Sequence, residues 1–336
     1  MTSLPTLPPI DRAALVATRR DLHQHPELGF EETRTSTLVA ERVRALGYEV
    51  RTGLGKTGVV ALRRGASGRA VLLRADMDAL PVEEANDVSY RSRHPGRMHA
   101  CGHDGHVAIG LEVARLLAGL ALPGSLKLAF QPAEELSSGA AALIRDGALE
   151  DPRVDAAFGL HLWNDLPVGT IGIMPGPIMA SVDEFTIEVA GRGGHAAQPH
   201  QTVDPVLVAA HVVTALQSLV ARRRDPFEEG VVSVTRIAAG HAYNVIPERA
   251  ELAGTVRTFG GRFRDEVPAL VEQTVRGVAQ AFGATVTLRY RRLLDPVVND
   301  ESMARLMSEV AAEIVGPDNV RTGVRTMGGE DMSCYL

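Results

Sequence analysis

The stretch Ala70–Asp78, "AVLLRADMD", decides the fold. It is a short apolar run that reads as a strand, and it ends in two carboxylates one residue apart. Working outward, helix-period segments alternate with similar runs from Asp11 to about residue 178. Helical spacing covers residues 13–24, 35–46, 106–120 and 141–149, while "GVVAL" at 58–62, "SLKLAF" at 125–130 and "AAFGLHL" at 156–162 read as strands. Alternating strands and helices predict an α/β domain with a mainly parallel sheet.

From Ser181 to about Asn299 the order changes. "VDEFTIEVA" alternates as a half-buried strand does, with Phe185, Ile187 and Val189 on one side. A helix follows, opened by Asp204-Pro205, an N-cap and a favourable first-turn residue. Two strands, "GVVSVTRIA" and "RAELAGTVRTF", precede a second helix from about Asp265 to Phe282, and "ATVTLRYRR" closes the unit. The order β-α-β-β-α-β is that of a ferredoxin-like α+β unit. A helix at "ESMARLMSEVAAEIV" and a strand-like "VRTMG" come after it, so the small unit reads as an insertion into the larger domain. The expected division is a catalytic domain in two parts, 1–179 and 300–336, with an inserted domain at 180–299.

Bulk properties narrow the function. A chain of 336 residues exceeds one ordinary core. The formal net charge of −6, with no strongly basic stretch, argues against nucleic acid as a partner. There is no basic-then-apolar leader and no uninterrupted apolar run of membrane-spanning length, so a cytoplasmic protein without a membrane partner is expected. Two cysteines suit a reducing compartment and make each one a candidate ligand or nucleophile.

Ligands of open α/β sheets bind beyond the carboxyl ends of the strands. This chain places Asp76 and Asp78 after one strand, Glu134 and Glu135 after the next, and His161 after a third. Between them "MHACGHDGH" at 98–106 puts three histidines, one cysteine and one aspartate in nine positions, just before a helix with Asp104 as the candidate cap. In extended backbone Cys101 and His103 point the same way and can share an ion. Thiolate, imidazole and carboxylate together suit zinc or another borderline divalent ion. Adjacent glutamates in extended backbone face opposite ways, so one can bind metal while the other accepts a proton from an activated water. "GLGKTG" at 53–58 resembles part of a phosphate-binding loop, but Val50 stands where the pattern requires glycine.

Eight ordered motifs carry a resemblance: "DLHQHPELGFEE", "RADMDALPVEE", "MHACGHDGH", "FQPAEE", "GLHLW", "GRGGHAAQPH", "NVIPERA" and "GGEDM". Together they resemble the amidohydrolase branch of the zinc aminoacylase and carboxypeptidase superfamily, which includes hippurate hydrolase, N-acyl-amino-acid amidohydrolases and plant auxin-conjugate hydrolases. The resemblance implies a two-metal α/β domain of metallopeptidase type with a ferredoxin-like lid that mediates homodimerisation, and cleavage of a small-molecule N-acyl amino acid. It implies Cys101, His103, Glu135 and His161 as ligands of two divalent ions (zinc, manganese, cobalt or nickel), with Cys101 bridging, and Glu134 as general base. It further implies His195 as donor to the oxyanion, Asn244 and Arg257 as substrate contacts, and Asp76 and Asp78 as residues that orient the ligands.

The family draws one more histidine ligand from beyond "GGEDM". His94, His106, His200 and His241 do not match that position, so one metal site is expected to be incomplete. Three other readings stand beside the amidohydrolase: a dipeptidase or carboxypeptidase using the same site, an inactive homologue whose lid mediates association, and a thiol redox protein built on Cys101.

Overall fold

The computed structural model describes residues 7–336, which fall into two compact units. One runs through Val168 and includes Cys334–Leu336; the other is Gly169–Ser333.

In the first unit the order is α1 (Arg12–Gln24), α2 (Thr33–Ala45), β1 (Glu49–Leu54), β2 (Gly58–Arg63), β3 (Ala70–Asp76), α3 (His103–Ala118), β4 (Ser125–Gln131), α4 (Gly139–Arg145) and β5 (Ala156–Gly159). The strands form one sheet in the order β1-β2-β4-β3-β5. The sheet is mixed where a mainly parallel one was expected: β3 is parallel to β4 and β5, while β2 is antiparallel to β1 and β4. For β1 and β2 the reason is local. "GLGKTG" is a tight hairpin turn, with Gly53, Gly55 and Lys56 all at positive φ, and so short a link can only join antiparallel neighbours. Apolar residues of α1, α2 and α3, among them Leu22, Val39, Val43, Val107 and Leu111, bury against Val59, Ala61, Leu126, Leu128 and Phe130 of the sheet.

The second unit opens with β6 (Ile171–Gly172) and β7 (Gly176–Met179), followed by β8 (Val182–Ala190), β9 (Gly194–His195), α5 (Pro205–Ser218), β10 (Gly230–Ala239), β11 (Val245–Ile246) and β12 (Arg249–Thr258). It continues with α6 (Gly261–Ala281), β13 (Thr285–Leu294), β14 (Val297–Asn299), α7 (Glu301–Val315) and β15 (Val320–Arg321). Four strands pair antiparallel in the order β10-β12-β8-β13, so the first and third long strands of the split unit lie side by side. Phe185, Ile187 and Val189 of β8 point into a core shared with Val208, Val212 and Leu216 of α5 and Val267, Val271 and Val275 of α6.

Asp204 caps α5 through Val206 N and Leu207 N. Pro205–Arg223 is long and apolar enough to cross a membrane by length and composition, a property not picked out of the sequence. Its apolar side supplies Val208, Val212, Leu216 and Leu219 to the core of this unit. Helix α6 starts four residues ahead of the expected Asp265, because the Glu228 carboxylate accepts from Arg262 N and Phe263 N, at 2.8 and 2.9 Å, and caps it from a distance. "VRTMG" is not a strand: only Thr326 makes an isolated bridge, to Met179, and the paired residues lie earlier, at Val320–Arg321.

Candidate metal centre

Strands β4, β3 and β5 are neighbours and parallel, so their carboxyl ends share one edge of the first unit. Asp76 and Asp78 lie at the end of β3, Glu134 and Glu135 in the turn after β4, and His161 two residues beyond β5. Helix α3 brings His103 to the same place. Its N-cap is Gly102 at φ 94, not Asp104. That left-handed turn, rather than extended backbone, brings Cys101 and His103 together.

One ligand atom each from Cys101, His103 and His161 lie within 4.8 Å of one another, as do those from His103, Glu134 and Glu135. Cys101 Sγ is 3.3 Å from His161 Nε2. His103 belongs to both groups and is fully buried. Its Nδ1–H donates to the backbone carbonyl of Asp78 at 2.9 Å, which leaves Nε2 to face the cluster. The two glutamates, expected to point apart, both face His103, because the chain here is a turn. Ala133 is left-handed at φ 50, and the Asp78 carboxylate accepts from Glu134 N and Glu135 N, both at 3.0 Å. A left-handed non-glycine residue is disfavoured by about 1–2 kcal/mol, so the loop is held by its partners and not by its own preference.

Burial disfavours a charged His103, yet the Asp76 carboxylate, the hydrogen bond with Asp78 and the neighbouring Cys101 outweigh it and raise its pKa well above the usual imidazole value. Burial pushes the Cys101 thiol up, against the nearby His103 imidazole, and Glu135 and Glu134 add to the rise. Burial also raises Glu135, opposed by the charge of His103. For Asp76 burial works against ionisation, but Arg74, with His103 and His106, holds its carboxyl well below the ordinary range.

His103 Nε2 and Glu135 Oε1 are buried without a hydrogen bond. An unsatisfied buried polar atom costs about 1–3 kcal/mol. Both atoms face the same cluster, and the donor set of thiol, imidazole and carboxylate is one that borderline divalent ions select. The residues therefore fit a divalent metal.

Asp76, His103 and His106 form a further buried group with one ligand atom each within 4.8 Å of one another, but the atoms of Asp76 and His106 are already bonded. His106 Nδ1–H donates to Asp76 Oδ1 at 2.6 Å, and His106 Nε2 accepts from Leu162 N at 2.9 Å. With both ring nitrogens engaged, His106 fixes the residue next to His161 and is not itself a donor to an ion. His161 in turn donates from Nδ1 to the Leu162 carbonyl at 2.6 Å, which directs its Nε2 towards Cys101. The sequence marks His106 only as a further histidine of "MHACGHDGH"; its role depends on contacts 30 and 56 residues away.

His195, Asn244 and Arg257 lie in the second unit. The structure brings the first two together. His195 pairs with Val245 across β9 and β11, and Ala196 N donates to the Asn244 carbonyl at 3.0 Å. His195 Nδ1 accepts from Ala197 N at 3.0 Å, which places the ring proton on Nε2. Arg257 is half-buried on β12, where its Nε donates to Thr255 Oγ1 at 3.2 Å. A side chain at Gly329 would come within 2.8 Å of an Arg257 terminal nitrogen, so glycine there leaves room for the guanidinium.

Fold and donor set together define a metal-dependent hydrolase of the α/β class. Residues 72–336 match the model of peptidase family M20/M25/M40. An N-acyl-L-amino acid amidohydrolase of Geobacillus stearothermophilus is 44% identical over 289 residues, 85% of this chain and 78% of the relative. Hippurate hydrolase of Campylobacter jejuni is 39% identical over 322 residues, covering 94% and 83%. A crystal structure described as a dinuclear metal-binding peptidase of the M20 family, from Bacillus subtilis, superposes with a TM-score of 0.83 at 37% identity, covering 96% of this chain and 85% of that one. The chain belongs to the M20/M25/M40 peptidase family and is a hydrolase of amide bonds.

Proposed function

We propose that this protein cleaves N-acyl amino acids, hippurate-like amides among them, into a carboxylic acid and a free amino acid. The observation that carries the reading is the cluster of Cys101, His103, Glu134, Glu135 and His161, with two of its buried donor atoms unsatisfied. Cys101, His103, Glu135 and His161 would hold two divalent ions, zinc, manganese, cobalt or nickel. When bound, such ions supply Lewis acidity, polarising the scissile carbonyl and acidifying water.

The remaining work falls to the chain's own groups. Glu134 accepts the proton of the attacking water and passes it to the leaving nitrogen. His195, protonated on Nε2, donates to the developing oxyanion. The Arg257 guanidinium matches the substrate's free carboxylate in a bidentate fork, and Asn244 supplies an amide contact. Asp78 fixes the backbone of both glutamates, and Asp76 acts through His106 on the His161 segment. In this reading residues 1–179 and 300–336 form the catalytic domain, 180–299 are a lid that pairs two copies, and the enzyme works in the cytoplasm.

The test compares wild type with Glu134→Ala, both assayed for bound metal and amine release, and the wild type also for its preference between acyl amino acids and dipeptides with each of the four metals. Retained metal with turnover nearly abolished is expected; substantial residual turnover removes Glu134 from its role. Preference for dipeptides would instead favour a dipeptidase.

A further inference from the structure

We infer that Glu32 is a positioning residue for Glu134: its buried carboxylate holds the Ala133 amide in the turn that aims the Glu134 side chain at the cluster. This rests on the reading of Glu134 as the proton acceptor.

Glu32 occupies the N-cap of α2 but makes no capping hydrogen bond. The cap comes instead from Glu27, whose Oε1 accepts from Arg34 N and Oε2 from Thr35 N, both at 2.8 Å. The Glu32 carboxylate is thereby released from the task its position predicts. It is 0% exposed, and it turns inward. Its Oε2 accepts from the Thr57 hydroxyl, and its Oε1 accepts from Ala133 N at 2.8 Å. Burial raises its pKa against the hydrogen bond from Thr57, so the fold keeps an acid where ionisation is disfavoured. A buried carboxylate is weak evidence of stabilisation, and an apolar side chain would pack there at no such cost.

What the carboxylate touches gives the reason. Ala133 is fully buried and left-handed, a conformation that needs an external partner to persist. Three successive amides, of Ala133, Glu134 and Glu135, are each taken by a carboxylate oxygen: Glu32 Oε1, Asp78 Oδ1 and Asp78 Oδ2. With those peptide planes fixed, the direction of the Glu134 Cα–Cβ bond is fixed too. The arrangement also gives a task to the hairpin at "GLGKTG". Its left-handed Lys56 presents the following residue, Thr57, to Glu32.

The test compares three replacements. Glu32→Gln keeps an acceptor for Ala133 N and can donate to the Thr57 hydroxyl oxygen, so kcat should stay within about threefold. Glu32→Asp keeps the carboxyl group but is one methylene short of spanning both partners, and kcat should fall about tenfold; Glu32→Ala should lose about 100-fold. In both, KM and bound metal should stay near the wild type. The readout independent of turnover is amide exchange in the metal-free protein: Ala133 should exchange at least about tenfold faster in Glu32→Asp and at the wild-type rate in Glu32→Gln.

Full activity in Glu32→Asp with loss in Glu32→Gln would overturn the proposal, since the carboxyl group and not geometry would then matter. So would unchanged exchange at Ala133, or acceleration spread evenly over the first unit. Should Glu32→Ala fail to fold, the Gln and Asp replacements decide the question. Glu134→Ala, run in parallel, separates the two claims: if it stays active the proton-acceptor reading falls, while exchange at Ala133 still reports whether Glu32 holds the loop.

Discussion

His106 offers a direct measurement of how His161, a proposed metal ligand, is held. It is 2% exposed and makes two hydrogen bonds of different kind, a charge-assisted one to Asp76 and a neutral one from Leu162 N. Bonds to a charged group contribute about 1.5–3 kcal/mol and neutral ones about 0.5–1.5 kcal/mol. At about 1.4 kcal/mol per factor of ten, these set upper bounds of roughly 140-fold and roughly 12-fold on what each bond contributes to metal affinity. Asparagine and glutamine take them apart. His106→Asn keeps a donor near the position of Nδ1 and loses the acceptor for Leu162, so affinity should weaken by about 2- to 12-fold. His106→Gln keeps an acceptor near the position of Nε2 and loses the donor to Asp76; the loss should be about 10- to 100-fold, the range usual for residues that orient a metal ligand. His106→Ala removes both and should be weakest. The assay is zinc competition against a chelating dye, with melting of the metal-free proteins recorded alongside. Zinc affinity within about twofold of wild type in His106→Ala, in a protein that melts normally, would refute the reasoning. So would a larger loss in His106→Asn than in His106→Gln.

Burial raises the Cys101 thiol above its usual 9, so in metal-free protein it should resist alkylation until the pH exceeds 9, whereas the exposed Cys334 reacts first; equal labelling of both at pH 7, read by mass spectrometry, would contradict this. The hydrogen bond to Asp104 raises the pKa of His23 above 6.5, against the cost of burial. Its contribution is therefore complete below pH 6.5 and fades as pH climbs through the raised value. The gap in urea midpoint between wild type and His23→Asn should narrow over that range, and a constant gap would count against the assignment. Leu252→Ala, at 0% exposure in the core of the second unit, should cost about 2–5 kcal/mol. Zinc affinity of the cluster in the first unit should stay within about twofold, and a larger change would show that the two are coupled.

Much of the fold was legible because burial leaves a periodic trace. Phe185, Ile187 and Val189 announce β8, and "SLKLAF" announces a strand that proves buried at every position. Strand β1 leaves no such trace, because five of its six residues are exposed or half-exposed and no apolar pattern marks it. The antiparallel pairing in the first sheet is not legible from strand–helix alternation, which says nothing of a short hairpin between two neighbouring strands. At the site, residue types and their place at strand ends point to Cys101, His103, Glu134, Glu135 and His161, whose ligand atoms the fold gathers into two groups that share His103. The local geometry was not legible: Gly102 and Ala133 are both left-handed, and neither turn follows from the extended backbone expected there. Glu32 and His106 stayed silent for a different reason, since their partners lie as far as 101 and 56 residues away.

The anchoring of residues 133–135 by two distant acids bears on engineering. Transplanting "FQPAEE" onto another strand–turn scaffold would carry both glutamates but none of the oxygens that shape their backbone, and the graft should relax to an ordinary turn. Random mutagenesis should accordingly reveal a second map of inactivating positions, at 32 and 78, in proteins that remain well folded.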